Sequence, residues 1–479
     1  MRKSFRSVAG NARPLVLAAL SAAIAGVLIL PSVANASAFQ LKESSAKSMG
    51  RAHAGSTTAG GDISVVASNP AAMSELDGTY FQADITAINF SAKFKGSAND
   101  ALGRPISGGD GGDAGTTLPV PAMFFATKVS DRVNVGLGFN VPFGFQTEYD
   151  RDWVGRYHGI KSRFQSLDAT LSASFKINDQ FSVGASAIVE KTIAELTNAI
   201  NFNAVGLGLV QQGVAAGAIP PQQAPGLINA VSSILPPGSD GNARIYGDST
   251  DWGWQAGALW KITPNDKIAV DYRAQIKHTL KGTANFTDIP AGVGFLLSNP
   301  AVAPLLANGV PFQHTQGTAK FVTPATASLS YWHQSEKYGV GADLGWTEWS
   351  VMKRLTVNYA NPAQPPSTLD FNWRNTWYMA VGADYYMSDK LTLRSGVALD
   401  ITPTYVATRD VRVPDSTRKL LSFGMTYKAS DHLELNASYA HVFVNAAHIS
   451  DSRSATGDAI TGEFDDYGNL LSFSAQYRF

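Results

Sequence analysis

The last residues of the chain alternate strictly. Leu471, Phe473, Ala475, Tyr477 and Phe479 fall on one face, and Ser472, Ser474, Gln476 and Arg478 on the other. The same period of two runs through Leu433, Leu435, Ala437, Tyr439 and Phe443, and through Phe371, Trp373, Trp377, Met379, Val381 and Tyr385. Such alternation is a strand with one apolar and one polar face. A soluble sandwich produces it as well, so the connections have to discriminate.

They do. A short polar unit recurs between strands as Ser130-Asp131-Arg132, Asn178-Asp179-Gln180, Asn265-Asp266-Lys267, Ser335-Glu336-Lys337, Ser388-Asp389-Lys390 and Ser430-Asp431-His432. Asn, Asp and Ser favour tight turns because their side chains bond nearby backbone. Long irregular links separate these six turns. Short links on one side and long ones on the other are the pattern of an outer-membrane barrel. With both chain ends on the short-turn side, six turns imply 14 strands, an even number of the kind such barrels use. The reading is an all-β, 14-stranded antiparallel transmembrane β-barrel. Its first strand covers about 79–95, its third 132–145 and its last 466–479.

Ahead of the strands, Arg2, Lys3, Arg6 and Arg13 precede an apolar run from Leu15 to Leu30, followed by Ala34-Asn35-Ala36. That is the layout of a secretory signal peptide. Residues 1–36 are therefore assigned to a leader, 37–77 to a separate segment and 78–479 to the barrel. Residues 37–77 are rich in Gly, Ala and Ser without clear period, yet Phe39, Leu41, Met49, Val65, Val66 and Met73 give them something to bury. Inside a barrel such a segment makes a hatch, or plug.

Two of the long links lack the usual chemistry of loops in water. There is no charged residue from Leu196 through Ser239, nor from Ile289 through Ala319. Leu207, Leu209, Val210, Leu227 and Ile228 lie in the first stretch, Phe295, Leu296 and Leu297 in the second. Pro pairs break the Ala-rich pieces into short helices. By strand order these are the third and fourth external loops. They either cap the barrel or offer an apolar landing site for a hydrophobic solute. In the third strand, Gly136-Leu137-Gly138-Phe139-Asn140-Val141-Pro142-Phe143-Gly144 includes a Pro without the N–H of a central strand. Pro142 and Gly144 mark either the strand's loop end or a kink that opens a lateral window.

Composition removes other classes. Among 479 residues there is no Cys, which excludes disulfide scaffolds, thiolate zinc sites and Cys nucleophiles. Lys+Arg and Asp+Glu both number 38, so no basic field points to nucleic acid. The eight His residues (His53, His158, His278, His314, His333, His432, His441 and His448) stand singly. There is no H-E-x-x-H and no G-x-S-x-G. No catalytic residue, metal or cofactor is expected, and the protein is read as a non-enzyme.

Further residues carry a resemblance. Ala38-Phe39-Gln40-Leu41-Lys42-Glu43-Ser44, Gly50-Arg51-Ala52-His53-Ala54-Gly55 and Asn69-Pro70-Ala71 resemble the N-terminal hatch of the FadL family of outer-membrane hydrophobic-compound transporters. Phe145-Gln146-Thr147-Glu148-Tyr149, Asp271-Tyr272-Arg273 and the aromatic last strand are also similar to it. The resemblance implies residence in the outer membrane of a Gram-negative bacterium, among outer-membrane lipid and lipopolysaccharide, and a hydrophobic small-molecule ligand; a monomer is expected. It further implies capture in the apolar external loops, displacement of a mobile terminus carrying Phe39, and sideways exit at the kinked third strand. Asn69, Pro70 and Ala71 would support the hatch beside that strand. Long-chain fatty acid members carry basic residues near their pocket; the corresponding positions here hold Asn198 and Leu369, with Lys191 or Arg374 as substitutes. Long-chain fatty acids are the expected substrates, aromatic hydrocarbons the alternative. A general porin or a barrel enzyme is the alternative of another class.

Overall fold

The structure is a computed structural model that describes residues 38–300, 302 and 309–479. The leader expected over 1–36 lies outside the described residues. Fourteen antiparallel strands close on themselves. They are β1 (Thr79–Asn99), β2 (Thr117–Lys128), β3 (Val133–Asn140 and Gly144–Glu148), β4 (Lys161–Lys176) and β5 (Phe181–Asn201). Next come β6 (Asp240–Lys261), β7 (Asp266–Arg273 and Ile276–Thr287), β8 (Thr315–Thr323 and Thr326–Gln334) and β9 (Tyr338–Thr347 and Arg354–Tyr359). The set ends with β10 (Ser367–Asp370 and Thr376–Tyr386), β11 (Leu391–Asp400), β12 (Arg418–Lys428), β13 (Leu433–Val444 and Ala447–Asp451) and β14 (Ala459–Arg478). Each strand pairs with its sequence neighbour. The seam is β1 against β14, continuous from Tyr80↔Arg478 to Asn99↔Ala459. Closure leaves no free edge at that seam, as a wall in lipid requires.

Burial is inverted relative to a soluble sheet. Phe81, Ile85, Leu171, Leu329, Phe423, Leu471 and Phe473 are exposed, whereas Gln82, Thr86, Asp168, Glu190, Ser330 and Ser472 are buried. The apolar face is directed at lipid and the polar face at the lumen. Tyr467 and Tyr477 bound the outward apolar run on β14, and Trp252, Trp254 and Trp260 stand outward on β6. Aromatic belts of this kind mark the two membrane surfaces.

Beyond the outer belt the pattern reverses. Phe94, Ile449, Ile460, Phe464, Tyr149 and Trp153 pack inward as a core, with the Tyr149 and Trp153 rings stacked at 4.0 Å. This reversal explains why β14 begins at Ala459 and not near 466, and why β1 continues to Asn99. Those ends still alternate, but with opposite polarity, so a reading that follows one apolar face stops at the membrane surface.

Residues 38–76 touch inward-facing residues from strands on many sides. The segment contains α1 (Ala46–Met49), α2 (Val65–Ser68) and a 3-10 helix over Pro70–Glu75. Polar ties hold it: Lys47 to Glu434 at 2.7 Å, Arg51 to Asp384 at 3.0 Å, the Ser56 hydroxyl to Asp343 at 2.8 Å and the Ala46 N–H to Asp84 at 3.0 Å. Gly382 and Gly396 let the Arg51 backbone approach the wall, since a Cβ at either would collide with its carbonyl. Outside, the third loop forms α3 (Phe202–Ala215) and α4 (Ala224–Ile234), and the fourth forms α5 (Ala291–Leu297).

Candidate functional site

Phe39 sits in a cage of six rings. Its centroid is 4.7 Å from Trp349, 5.0 Å from Phe164, 5.5 Å from Phe145 and Trp373, 6.2 Å from Phe143 and 6.3 Å from Phe321. The rings come from β3, β4, β8 and the interruptions of β9 and β10, so the stub formed by residues 38–42 is held by distant parts of the wall. The Ala38 carbonyl accepts from Arg418 at 2.9 Å.

The same stub bonds to the broken strand. β3 stops at Asn140 and resumes at Gly144, with Val141-Pro142-Phe143 between. The Leu41 N–H donates to the Pro142 carbonyl at 2.8 Å, and the Gly144 N–H donates to the Phe39 carbonyl at 2.9 Å. The interruption shifts register by one residue: Asn140 faces Asp168, but Gly144 faces Gln165. A bulge of this kind re-aims the strand and frees backbone groups. The stub takes up two of them. A Cβ on Gly144 would meet the Leu41 side chain at 3.2 Å. Bulk at that position therefore presses on the stub instead of filling the wall.

The wall has a break beside this bulge. β2 pairs with β3 only from Met123↔Phe139 downward, and the upper piece of β3 pairs only with β4. Thr117–Ala122 thus has β1 on one side and no strand on the other among the described residues. Above the break, the Glu148 N–H donates to the Ala114 carbonyl at 2.9 Å and closes the wall again.

A cavity of about 300 Å³ lies between the stub and the break. Phe39, Leu41, Ile88, Leu118, Val141, Phe145, Phe164, Leu420 and Val442 make its apolar lining. Pro119, Arg163 and Gln165 also line it, although these odd-numbered positions belong to the outward face of β2 and β4. The cavity therefore extends through the wall. Lys42, Arg163, Arg412 and Arg418 supply cations, and Glu43, Asp400, Asp415 and Asp466 supply carboxyl groups. Arg418 pairs with Asp415 at 2.8 Å. Arg412, from the sixth external loop, donates to the Ser162 hydroxyl at 3.1 Å and the Thr197 carbonyl at 3.2 Å, while its Nε has no hydrogen-bond partner among the described residues. Burial lowers the Arg412 pKa and Asp410 offsets this only in part. An incoming anion would relieve that cost.

A second, more polar cavity of about 160 Å³ shares Gln40, Leu41 and Lys42 with the first and reaches Ser44, Ser56, Asp271 and Asp343. Near the cage, Arg273 bonds Asp168 and reaches Glu190 at 2.7 Å. The His278 ring lies 2.8 Å from Glu190 and 3.0 Å from Asp251, and the Thr323 hydroxyl donates to Glu190 at 2.8 Å.

Asn69 caps the 3-10 helix by accepting from the Ala71 N–H at 3.0 Å, with Pro70 at its first position. The Asn69 amide donates to the Val270 carbonyl at 3.2 Å, and Ala71 packs on Leu259 and Ala269. The tripeptide thus lies against β5, β6 and β7; Val66 and Met73 are the residues that press on Gly136 of β3. Small residues on the walls decide this placement, since only a glycine such as Gly257 admits the Asn69 side chain. In the outer loops Val210 and Leu296 are buried in a shared core with Phe202, Val231, Leu235 and Val293. Leu207, Leu209, Leu227 and Leu297 are partly covered, Ile228 is exposed, and Phe295 is 72% exposed. The substitutes named for the family's basic residues do not reach the cavity. Lys191 pairs with Asp248 on the outer wall, and Arg374 stacks on Tyr405 at 4.8 Å. Sequence reasoning missed Arg412, which stands beside Asn198 at 3.5 Å. Its only signal was a charged loop segment, Arg409-Asp410-Val411-Arg412, and such segments are usually solvated.

The family model described as "Outer membrane protein transport protein (OMPP1/FadL/TodX)" matches residues 27–479. The chain belongs to this OMPP1/FadL/TodX family. Outer membrane protein P1 of Haemophilus influenzae is 26% identical over 480 residues, covering 95% of this chain and 97% of that protein. The long-chain fatty acid transport protein of Escherichia coli O6:H1 is 25% identical over 431 residues, with 88% and 90% covered. Among solved structures, a Pseudomonas aeruginosa FadL homologue superimposes with a TM-score of 0.83 at 30% identity, covering 92% of this chain and all of that one. The Pseudomonas putida toluene transporter TodX shares the fold, with a TM-score of 0.58 at 18% identity over 87% and 94% of the two chains. The protein is a FadL-family transporter of the Gram-negative outer membrane, and not an enzyme.

Proposed function

We propose that this outer-membrane transporter of hydrophobic compounds takes long-chain fatty acids. The observation that carries the reading is Arg412, a buried guanidinium whose Nε makes no hydrogen bond and stands 4.0 Å from Asp410, at a cavity lined by apolar side chains together with Lys42, Arg163, Arg418 and the carboxyl groups of Glu43, Asp400, Asp415 and Asp466. An acyl chain suits the apolar lining, and a carboxylate suits a charge-assisted bond to Arg412. The solute lands on the outer loops, where Phe295 and Ile228 are exposed beside Leu207, Leu209, Leu227 and Leu297, over a floor that includes Val210 and Leu296. It then enters the cavity and competes with Phe39 for the cage. Withdrawal of the stub, residues 38–42 of the hatch, frees the Pro142 carbonyl and the Gly144 N–H. The solute leaves sideways through the break into the outer membrane. Asn69, Pro70 and Ala71 hold the rest of the hatch in place while the stub moves. No nucleotide-binding motif accompanies the barrel, so transfer is passive and follows consumption downstream.

A second reading has its own support: six rings around Phe39 would also accommodate an aromatic hydrocarbon. Binding and uptake measured for palmitate, hexadecanol and toluene separate the two. Palmitate bound well ahead of hexadecanol, with toluene weak, supports the fatty acid reading. Equal affinity for acid and alcohol rejects it.

A further inference from the structure

The break in the wall has two edges, and the β2 edge is chemically unusual. The Phe90 N–H donates to the Thr116 carbonyl, and the Lys128 N–H to the Gly78 carbonyl. With the unbroken β1–β2 register, even-numbered residues of β2 therefore direct their backbone groups at β1, and odd-numbered residues direct theirs the other way. The Val129 N–H, which bonds the Val133 carbonyl on the β3 side, agrees with this parity. Along the unpaired stretch the odd positions are Thr117, Pro119 and Pro121. Two of the three main-chain donors that would face the missing partner do not exist.

Their level in the membrane makes this consequential. Pro121 is in row with Ile85 and Phe473, and Pro119 with Ala87 and Leu471, all within the outward apolar run bounded by Tyr467 and Tyr477. An unsatisfied N–H in hydrocarbon costs several kcal/mol, which normally drives neighbouring strands together. A donor-free edge feels little of that drive. On the opposite edge, the Gly144 N–H and the Pro142 carbonyl are taken by the stub, and Gln146 is left to direct its backbone groups at the break.

We propose that Pro119 and Pro121 are positioning residues for lateral transfer. They keep β2 and the upper part of β3 from zipping together, and their outward rings give the opening an apolar sill. The inference rests on lateral exit through this break. It goes further by assigning the persistence of the opening to two side chains outside the hatch and outside the kink.

The test replaces both residues with valine, which suits a strand and restores the N–H. Because the chain has no Cys, spin labels on Thr117→Cys and Gln146→Cys report the width of the break in either background. The expected result for P119V/P121V is a shorter label distance, amide-exchange protection over 117–122, and uptake slowed by about fivefold or more. Unchanged width with unprotected new amides overturns the proposal. A narrowed break with undiminished uptake upholds the role of the prolines but overturns lateral exit. Thr117→Pro guards against a folding failure of the valine variant: it deletes the remaining donor, and should assemble and transport like the parent. Failure of Thr117→Pro to assemble would mean that this edge is paired, and would also overturn the proposal.

Discussion

Replacing Phe39 by alanine should make the protein a tighter binder. Phe39 is almost fully buried among six rings, the nearest at 4.7 Å. Removing a buried Phe side chain forfeits about 2–3 kcal/mol of transfer free energy, with more lost in ring contacts of about 0.5–1.5 kcal/mol each. The two backbone bonds to Pro142 and Gly144 survive, and the emptied cage relaxes in part. A loss of about 3 kcal/mol from the docked state is a fair working value. If the ligand must displace the stub, apparent affinity equals intrinsic affinity multiplied by the undocked fraction. At tenfold per 1.4 kcal/mol, F39A should then lower the palmitate Kd by up to about 100-fold, saturating once the undocked state dominates. Trp349 and Trp373 lie at 4.7 and 5.5 Å from Phe39, so their fluorescence follows the titration directly. Barrel assembly is checked by heat-dependent gel mobility. An unchanged or raised Kd with an intact barrel refutes the competition between stub and ligand.

Arg412→Leu removes a charged partner worth about 1.5–3 kcal/mol, so calorimetry should show palmitate binding about 10- to 100-fold weaker and hexadecanol unchanged. Phe295→Asp sits on an exposed tip and should slow uptake at limiting ligand without altering equilibrium binding; equal initial rates would exclude a loop landing site. Burial, reinforced by Lys42 and Arg51, pushes the His53 pKa down to about 3 from 6.5. The ring is neutral in the docked hatch, so the released state binds more protons, and the hatch's hold is complete above pH 6.5 and weakens as pH falls toward 3. Hydrogen exchange over 38–76, corrected for intrinsic rates, should rise from pH 7 to 5, and His53→Asn should flatten that dependence.

The barrel was legible because lipid on one side and a polar lumen on the other impose a period of two, and because tight turns need Asn, Asp and Ser. Strand ends were less so, since the polarity of the alternation reverses where Phe94 and Phe464 turn inward beyond the membrane. In the site, Phe39, Pro142 and Gly144 stand together at the cage and the bulge, a proximity that the separate readings of a buried terminus and a broken strand did not contain. The apolar composition of the outer loops could not separate Val210 and Leu296, which form their core, from Phe295 at their surface. Asn69-Pro70-Ala71 was expected beside the third strand; which wall it touches depends on glycines such as Gly184 and Gly257, more than a hundred residues away along the chain. Arg412 was invisible because a charged loop residue becomes a cavity residue only when its loop folds into the barrel mouth.

The ionic cluster of Arg273, Asp168, Glu190, His278 and Asp251 bears on the cell as much as on the solute. Its groups are bonded to one another across β4, β5, β6 and β7, so a small hydrated solute reaching that depth from outside the cell meets linked side chains in place of open water.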